Sequence, residues 1–177
     1  MHDIVNGFIG IVNLLGTKRL GRPMEIKPGD KAPSFRLSTD GGGEVSLSAL
    51  RGQPFVLYFY PKDDTTGCTK EAQAFSNYLK KFEQLGVNVV GISKDSVASH
   101  DRFKTKYKLK LTLASDPEVK AAQAYGVWGE KTLYGRKYLG VERATFLVDA
   151  KGRIREIWRK VRVPGHVEAV LAAAKSL

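Results

Sequence analysis

The chain has 177 residues, 42% hydrophobic and 27% charged, which is the composition of an ordinary globular domain rather than of a disordered or collagen-like chain. Lysine and arginine number 29 against 18 for aspartate and glutamate, and the net charge of +11 suggests acidic partners or surfaces without indicating a fold. The single cysteine, Cys68, excludes an internal disulfide framework, and together with three separated histidines it cannot build a cysteine-rich zinc site.

Residues 1–24 are predicted to form an extension ahead of one folded domain, residues 25–177. Apolar residues recur between positions 4 and 15, but glycine and asparagine interrupt this stretch, and it is shorter than the roughly 20 apolar residues of a membrane span. Basic residues follow it, whereas they precede the apolar part of a secretory signal. We prefer a loosely ordered extension; the alternative is a short amphipathic helix that packs on the domain, a partner or a lipid surface. Because nothing in the sequence directs export, we expect a cytoplasmic protein.

The first half of the domain shows strand patterns. Two segments in which apolar and polar residues alternate, around positions 35–37 and 45–47, flank the glycine-rich turn 40–43 and predict a β-hairpin. The apolar run Phe55–Tyr60, which Pro61 stops, is typical of a central strand buried on both faces.

From Cys68 onward the apolar residues change to a helical period. They recur at steps of four and three residues and predict a helix that ends at Gly86: Cys68, Ala72, Phe75, Leu79 and Phe82. A strand over residues 87–93 follows, and Ser96 is predicted to cap a helix from Val97 to about Tyr107.

The remaining elements are shorter. Alternating lysines between positions 104 and 110 favour a basic strand, whereas we expect the helix to reach Tyr107 and a short strand to cover Leu111–Ala114. Asp116 is predicted to cap a short helix through Ala124, with Pro117 as its first residue. A second hairpin is predicted from Ala144–Val148 and Arg153–Trp158, and Pro164 opens a final helix that ends near Ser176. This order of elements predicts a three-layer α/β domain with a central mixed sheet flanked by helices.

Cys68 is the candidate for chemistry. A lone cysteine on an apolar helix face is usually a small buried hydrophobic residue. Here, however, it lies in the first helical turn, where free N–H groups and the positive end of the helix dipole favour an anion such as the reactive thiolate. Thr65 can place a hydroxyl beside the sulfur, and Gly67 allows the backbone to approach closely. Pro61 can cover the site without offering a competing N–H group.

These residues resemble a known family. The pattern Pro61-x-x-x-Thr65-x-x-Cys68 resembles the active-site motif of the peroxiredoxins, and the longer run 58–71 resembles their Q-type branch, the bacterioferritin comigratory proteins. A second stretch, residues 125–149, agrees independently. The resemblance covers about residues 25–177 and leaves the extension outside.

The resemblance implies a thioredoxin-like fold and a thiol peroxidase that acts on hydrogen peroxide and organic hydroperoxides. Cys68 would attack the terminal peroxide oxygen and become a sulfenic acid. Thr65 would hydrogen-bond the peroxide, and Arg143 would stabilise the thiolate and the charge that spreads over the O–O bond. Pro61 would shield the thiolate, while the backbone N–H groups of Gly67 and Cys68 would help to hold the substrate oxygens.

Other residues near the motif have plainer interpretations. We expect Glu71 to make a structural pair, with Arg143 as the candidate partner. The aspartates Asp63–Asp64 would disfavour a nearby thiolate, so we expect both to point to solvent. Trp128 and Tyr134 are expected to pack in the pocket wall or the core.

The sequence departs from the family at one position. Many Q-type members carry a resolving cysteine five residues after the peroxidatic one, and here Gln73 occupies that position. With no second cysteine, this chain cannot form an internal disulfide, so an external thiol must reduce the sulfenic acid: thioredoxin, glutaredoxin with glutathione, or another small thiol. A sulfenic acid that waits too long risks irreversible over-oxidation. No metal or other cofactor is expected.

Two other functions stay open at this point. The chain could be a redox sensor that forms mixed disulfides through Cys68 without turnover. The net charge would also suit a basic module that binds nucleic acid, but the sequence carries no recognisable nucleic-acid-binding motif, and we expect no specific nucleic-acid partner. The preferred peroxide, the reductant and the choice between a monomer and a homodimer are left undecided.

Overall fold

The computed structural model describes residues 25–177, so the extension predicted for residues 1–24 lies outside the described residues. The strands in chain order are β1 (Arg36–Thr39), β2 (Glu44–Ser46), β3 (Phe55–Phe59), β4 (Asn88–Ser93), β5 (Thr112–Ser115), β6 (Trp128–Leu133), β7 (Arg136–Val141), β8 (Ala144–Val148) and β9 (Ile154–Trp158). The helices are α1 (Leu47–Leu50), α2 (Thr66–Gln84), α3 (Val97–Tyr107), α4 (Lys120–Ala124) and α5 (His166–Ala174).

A mixed sheet forms the middle layer. Within residues 25–177 it has seven strands in the order β2-β1-β5-β4-β3-β8-β9, while β6 and β7 form a separate hairpin. Strand β3 pairs in parallel with β4 and antiparallel with β8. The predicted α/β class, with a central mixed sheet between helices, is confirmed.

Strand β3 separates two hydrophobic cores. Its five residues are all fully buried, and their side chains alternate between the two faces of the sheet. Val56 and Tyr58 pack in the core under α2, α3 and α5, whereas Phe55, Leu57 and Phe59 pack in the core under α1 and α4. Burial of one such side chain stabilises the fold by about 1.5–3 kcal/mol relative to exposure. The prediction of a strand buried on both faces is confirmed.

The first half of the domain agrees with its sequence pattern. The β1–β2 hairpin and the helix from Val97 to Tyr107 are confirmed, and the Ser96 hydroxyl accepts the N–H of Ser99, as a helix cap does. Lys108, in the left-handed conformation (φ 54°), ends α3 before the short strand β5. The helix interpretation of this lysine-rich segment is therefore correct.

Four details differ from the sequence expectations. Helix α4 begins at Lys120 rather than at Pro117, but the Asp116 carboxylate still caps it by accepting the N–H groups of Ala121 and Ala122. Helix α5 begins at His166, because Gly165 takes a positive φ of 75° just before it. Helix α1 and the β6–β7 hairpin were not anticipated.

No helix formed by residues 25–177 is both long and apolar enough to cross a membrane.

Candidate active site

Cys68 is the third residue of α2, at the end of the sheet where β3 stops. Thr65 precedes the helix with an extended backbone, and its carbonyl accepts the N–H of Thr69 at 2.8 Å. The first N–H groups of a helix have no acceptor within the helix, so the backbone around Gly67 and Cys68 offers donors to an incoming ligand. Cys68 is buried, with 1% of the residue exposed.

Sheet register brings Arg143 to the same place. Phe59 at the end of β3 pairs with Ala144 at the start of the antiparallel β8, so Arg143 lies beside the loop that follows β3. Its Nη2 lies 3.4 Å from the Sγ of Cys68. A Cβ atom added to Gly67 would lie 3.1 Å from the same Nη2, so the glycine provides the room in which the guanidinium reaches the sulfur.

Glu71 holds the other side of the guanidinium. Its Oε1 accepts a hydrogen bond from Arg143 Nη1 at 2.9 Å, which confirms the expected pair. Burial raises the pKa of Glu71 to about 7, although the charge and hydrogen bond of Arg143 act in the opposite direction. Burial lowers the pKa of Arg143, but the charges of Glu71 and Cys68 outweigh burial, so the net shift is upward and the guanidinium stays cationic.

Thr65 and Pro61 belong to the loop between β3 and α2. The Thr65 hydroxyl is exposed and donates to the carbonyl of Lys62 at 2.9 Å, which leaves its oxygen as an acceptor on the solvent side. Pro61 is half-buried at the start of the loop. The structure therefore brings Cys68, Gly67 and Arg143 into direct proximity and holds the other two residues on the adjoining loop.

Asp63 overturns one expectation. Its carboxylate does not point to solvent: the residue is 7% exposed, and it accepts hydrogen bonds from Tyr60, Ser99 and His100. The tertiary donors compensate for burial of the charge, and no spacing in the sequence signals that they meet. Asp64 is exposed, as expected, and pairs with Lys106.

The β6–β7 hairpin contributes a second cation. Lys131 Nζ donates to the carbonyl of Val141 at 2.6 Å. The pKa of Lys131 is lowered, because burial and the charge of Arg143 outweigh the opposite effects of Glu142 and Cys68. The ammonium is therefore close enough to the thiol site to interact with its charges. The sequence reasoning missed Lys131, since it missed the hairpin that carries it.

The two aromatic residues of the hairpin behave differently. Trp128 is half-buried and packs against the core, as expected, with the ammonium of Lys94 5.9 Å from its ring centroid. Tyr134 is 96% exposed at the hairpin turn, so the expectation that it packs in the pocket wall or core is wrong. Tyr134 and Gly135 take positive φ values of 50° and 75°, which form the turn and direct the Tyr134 side chain outward.

Among residues 25–177, no three side chains of histidine, cysteine, aspartate or glutamate are arranged so that they could hold a metal ion.

Comparisons with known proteins define the class. The family model "AhpC/TSA family" matches residues 28–157. The chain therefore belongs to the AhpC/TSA family. Within that family it is a peroxiredoxin of the Q-type (Bcp) branch, a class of thiol-dependent peroxidases, which confirms the resemblance seen in residues 58–71 and 125–149.

The individual relatives agree with this assignment. The chain is 51% identical over 148 residues to a putative peroxiredoxin bcp of Coxiella burnetii, covering 84% of this chain and 98% of the relative. It is 44% identical over 154 residues to Peroxiredoxin Bcp of Bacillus subtilis, covering 87% and 98%. Among solved structures, the Xanthomonas campestris bacterioferritin comigratory protein matches with a TM-score of 0.77 and 44% identity, covering 80% of this chain and 90% of that one. A mutant of Xylella fastidiosa PrxQ matches with a TM-score of 0.81 and 41% identity, covering 85% and 96%.

Proposed function

We propose that the chain reduces hydrogen peroxide and organic hydroperoxides through a sulfenic acid at Cys68 and is recycled by an external thiol. The observation that carries this proposal is the 3.4 Å contact of Arg143 Nη2 with Cys68 Sγ, at the start of α2 and next to Gly67. A cation and a helix N-terminus both stabilise an anionic sulfur, and the thiolate is the nucleophile. The solved Xanthomonas campestris relative is described by its alkyl peroxide reduction activity, which supports organic hydroperoxides as a substrate class.

In the oxidative step the thiolate attacks the terminal oxygen of a hydroperoxide. A sulfur–oxygen bond forms, the O–O bond breaks, and the leaving alkoxide or hydroxide takes up a proton to depart as alcohol or water. Arg143 and the N–H groups of Gly67 and Cys68 stabilise the charge that moves onto the oxygens. Thr65 accepts the hydrogen bond of the hydroperoxide O–H and orients it, and Pro61 shields the sulfur from bulk water.

In the reductive step a thiol attacks the sulfenic acid of Cys68. Water leaves, a mixed disulfide forms, and a second thiol restores Cys68 while the two reductant sulfurs become a disulfide. The single cysteine of the chain supports this route, because Gln73 stands where a resolving cysteine would stand and is exposed on α2. Thioredoxin and glutaredoxin with glutathione are the reductants to compare.

The test is peroxide consumption with each reductant in parallel: thioredoxin, glutaredoxin plus glutathione, and dithiothreitol. Cys68→Ser should abolish consumption with all three, and Ser76→Ala on the same helix serves as the matched control that stays active. Dimedone should label the oxidised wild type and not the Cys68 variant. A Cys68→Ser variant that keeps most of its activity would show the mechanism to be wrong.

The same assay separates turnover from sensing. A peroxidase consumes many equivalents of peroxide when a reductant is present, whereas a redox switch reacts once per chain. Three expectations from the sequence stay predictions. They are the cytoplasmic location, an assembly no larger than a homodimer, and a domain that begins at residue 25.

A further inference from the structure

Asp63 lies in the loop that carries both Pro61 and Thr65, and the proposed chemistry does not use it. Its carboxylate is buried and accepts three hydrogen bonds. One donor lies just before the loop and two are neighbours on α3: Tyr60 Oη at 2.6 Å to Oδ1, Ser99 Oγ at 2.8 Å to Oδ2, and His100 Nδ1 at 2.8 Å to Oδ2. The loop is thus tied by one side chain to α3.

The ring of His100 is placed between two acceptors. Nδ1 faces the carboxylate of Asp63, and Nε2 lies 3.0 Å from the backbone carbonyl of Ala114 on β5. A carbonyl and a carboxylate only accept hydrogen bonds, so both ring nitrogens carry protons and the pair is an imidazolium with a carboxylate. The side chains of His100 and Asp63 are 0% and 4% exposed, so water does not screen this pair.

The surroundings of His100 favour its charged form. Burial lowers the pKa of His100, but the hydrogen bond and charge of Asp63, the carbonyl of Ala114 and the charge of Asp95 raise it, and the net shift is upward. The Tyr60 hydroxyl, 3.4 Å from Nδ1, directs its hydrogen to Asp63 and does not compete for the ring.

The main chain of the loop is held at the same residue. The N–H of Asp63 donates to Asp95 Oδ2 at 2.9 Å. Ser93 Oγ donates to that same oxygen, and Ser115 Oγ donates to the carbonyl of Asp95. Side chain and backbone of Asp63 are therefore both fixed to the body of the domain, two residues from Pro61 and two from Thr65.

We propose that His100, acting through Asp63, is a positioning residue of the peroxidase that holds the loop so that Thr65 and Pro61 meet a peroxide at Cys68. The inference rests on the proposed function. A buried ion pair is weak evidence for stability, because apolar side chains of similar volume often stabilise a core as well or better. A role in geometry explains why a charged pair is buried at the loop that leads to the reactive thiol.

Two substitutions of His100 separate geometry from stability. The amide nitrogen of asparagine lies near the position of Nδ1, and that of glutamine near the position of Nε2. His100→Asn therefore keeps a donor for Asp63 and loses the one for Ala114, whereas His100→Gln does the reverse. Both variants remove the charge and carry the same amide group, so they differ in which contact survives and in one methylene group.

Two rate constants and one free energy are measured on each variant. The rate constants are those of the reaction with hydrogen peroxide and of alkylation by neutral iodoacetamide, and the free energy is that of unfolding in urea. Alkylation needs only the thiolate, whereas the peroxide reaction also needs an oriented O–O bond. We expect His100→Gln to lower the ratio of peroxide rate to alkylation rate by about tenfold or more, and His100→Asn to retain most of it.

Ser99→Ala is the milder second variant. It removes one donor to Asp63 without changing charge, so the ratio should fall in the same direction by a smaller factor even if the His100 variants fail to fold. Thr105→Ala, on the exposed face of the same helix, should leave the ratio unchanged.

Each contrary outcome has a distinct meaning. If His100→Asn and His100→Gln lower the ratio equally, or if Ser99→Ala leaves it unchanged, the pair is structural and the inference is overturned. If the wild type and both His100 variants consume peroxide at the same rate, the inference is overturned and the proposed function is not. A wild type that consumes no peroxide overturns the proposed function, and the inference with it.

Discussion

Arg143 links two acidic groups through one planar side chain. Nη2 faces the sulfur of Cys68, and Nη1 donates to Glu71 Oε1. An ammonium on a flexible stem cannot serve two partners in fixed directions in this way, because it lacks the fork of a guanidinium. Glu71 thereby sets the plane of the guanidinium, and that plane sets which N–H group the sulfur meets.

Replacement of Arg143 tests its role at the sulfur. Arg143→Ala should slow the reaction with hydrogen peroxide by about 10²–10³-fold, since a preorganised donor to the transition-state charge is lost. Arg143→Lys, which keeps the charge without the fork, should also slow the reaction, though less than alanine does. Stopped-flow rates with hydrogen peroxide measure both variants, and an unchanged rate for Arg143→Ala would contradict this role.

The site forms where local and tertiary structure meet. The helical period from Cys68 and the apolar run of β3 are local patterns, so the sequence alone predicts where the thiol lies. Arg143 is 75 residues away from Cys68, and only the antiparallel register of β3 with β8 brings it there. Spacing cannot encode that register, and the residue was found through family resemblance alone.

The same distinction explains the wrong and missing predictions. The expectation that Asp63 points to solvent rests on the repulsion between a carboxylate and a nearby thiolate. Its donors Ser99 and His100 lie 36 and 37 residues further along the chain, so no local pattern reveals the buried site that the carboxylate occupies instead. The β6–β7 hairpin was missed because its turn is Tyr134-Gly135, which lacks the usual Asn-Gly or Asp-Gly signal. Most of its residues are also exposed, so no apolar alternation marks the two strands.

Helix α2 also sets the requirement for any resolving thiol placed on it. Cys68 and Gln73 are five positions apart in a continuous helix, which separates their Cα atoms by about 8.5 Å. A disulfide needs Cα atoms within roughly 7 Å, so the first turns of α2 would have to unwind before positions 68 and 73 could be joined.

Gln73→Cys tests this requirement. We expect the variant to form a disulfide between positions 68 and 73 after one equivalent of peroxide, with loss of far-ultraviolet helix signal, since bridging requires unwinding. It should also resist over-oxidation to sulfinic acid better than the wild type does, because a nearby thiol captures the sulfenic acid. Mass spectrometry of the peroxide-treated proteins measures both products. Gln73→Ser is the control, and a disulfide formed with α2 intact would contradict the argument.

His166 joins α5 to the rest of the domain. Its ring is buried at the first residue of the helix, and Nε2 lies 2.8 Å from Thr145 Oγ1 on β8. The ring also contacts Phe75 of α2 and Trp158 of β9 edge-on, with centroids 6.3 and 5.9 Å away. A positive charge here would be buried and would lie at the positive end of a helix dipole, so the neutral ring is strongly preferred.

The stability of the domain should therefore fall as the solution is acidified. Burial, and then the charge of Arg143, lower the pKa of His166 from 6.5 to about 4, with Glu168 acting weakly in the opposite direction. Between these two values the unfolded chain binds more protons at this site than the folded chain, so the free energy of unfolding is fully retained above pH 6.5 and decreases through the window to pH 4. The loss amounts to about 3 kcal/mol.

His166→Gln tests this dependence, because glutamine keeps a hydrogen-bonding group for Thr145 but does not titrate. The free energy of unfolding of both proteins is measured in urea at a series of pH values. As the pH falls, the advantage of the wild type over the variant should shrink or reverse. A difference that stays constant across the window would contradict the assignment, whatever its absolute size.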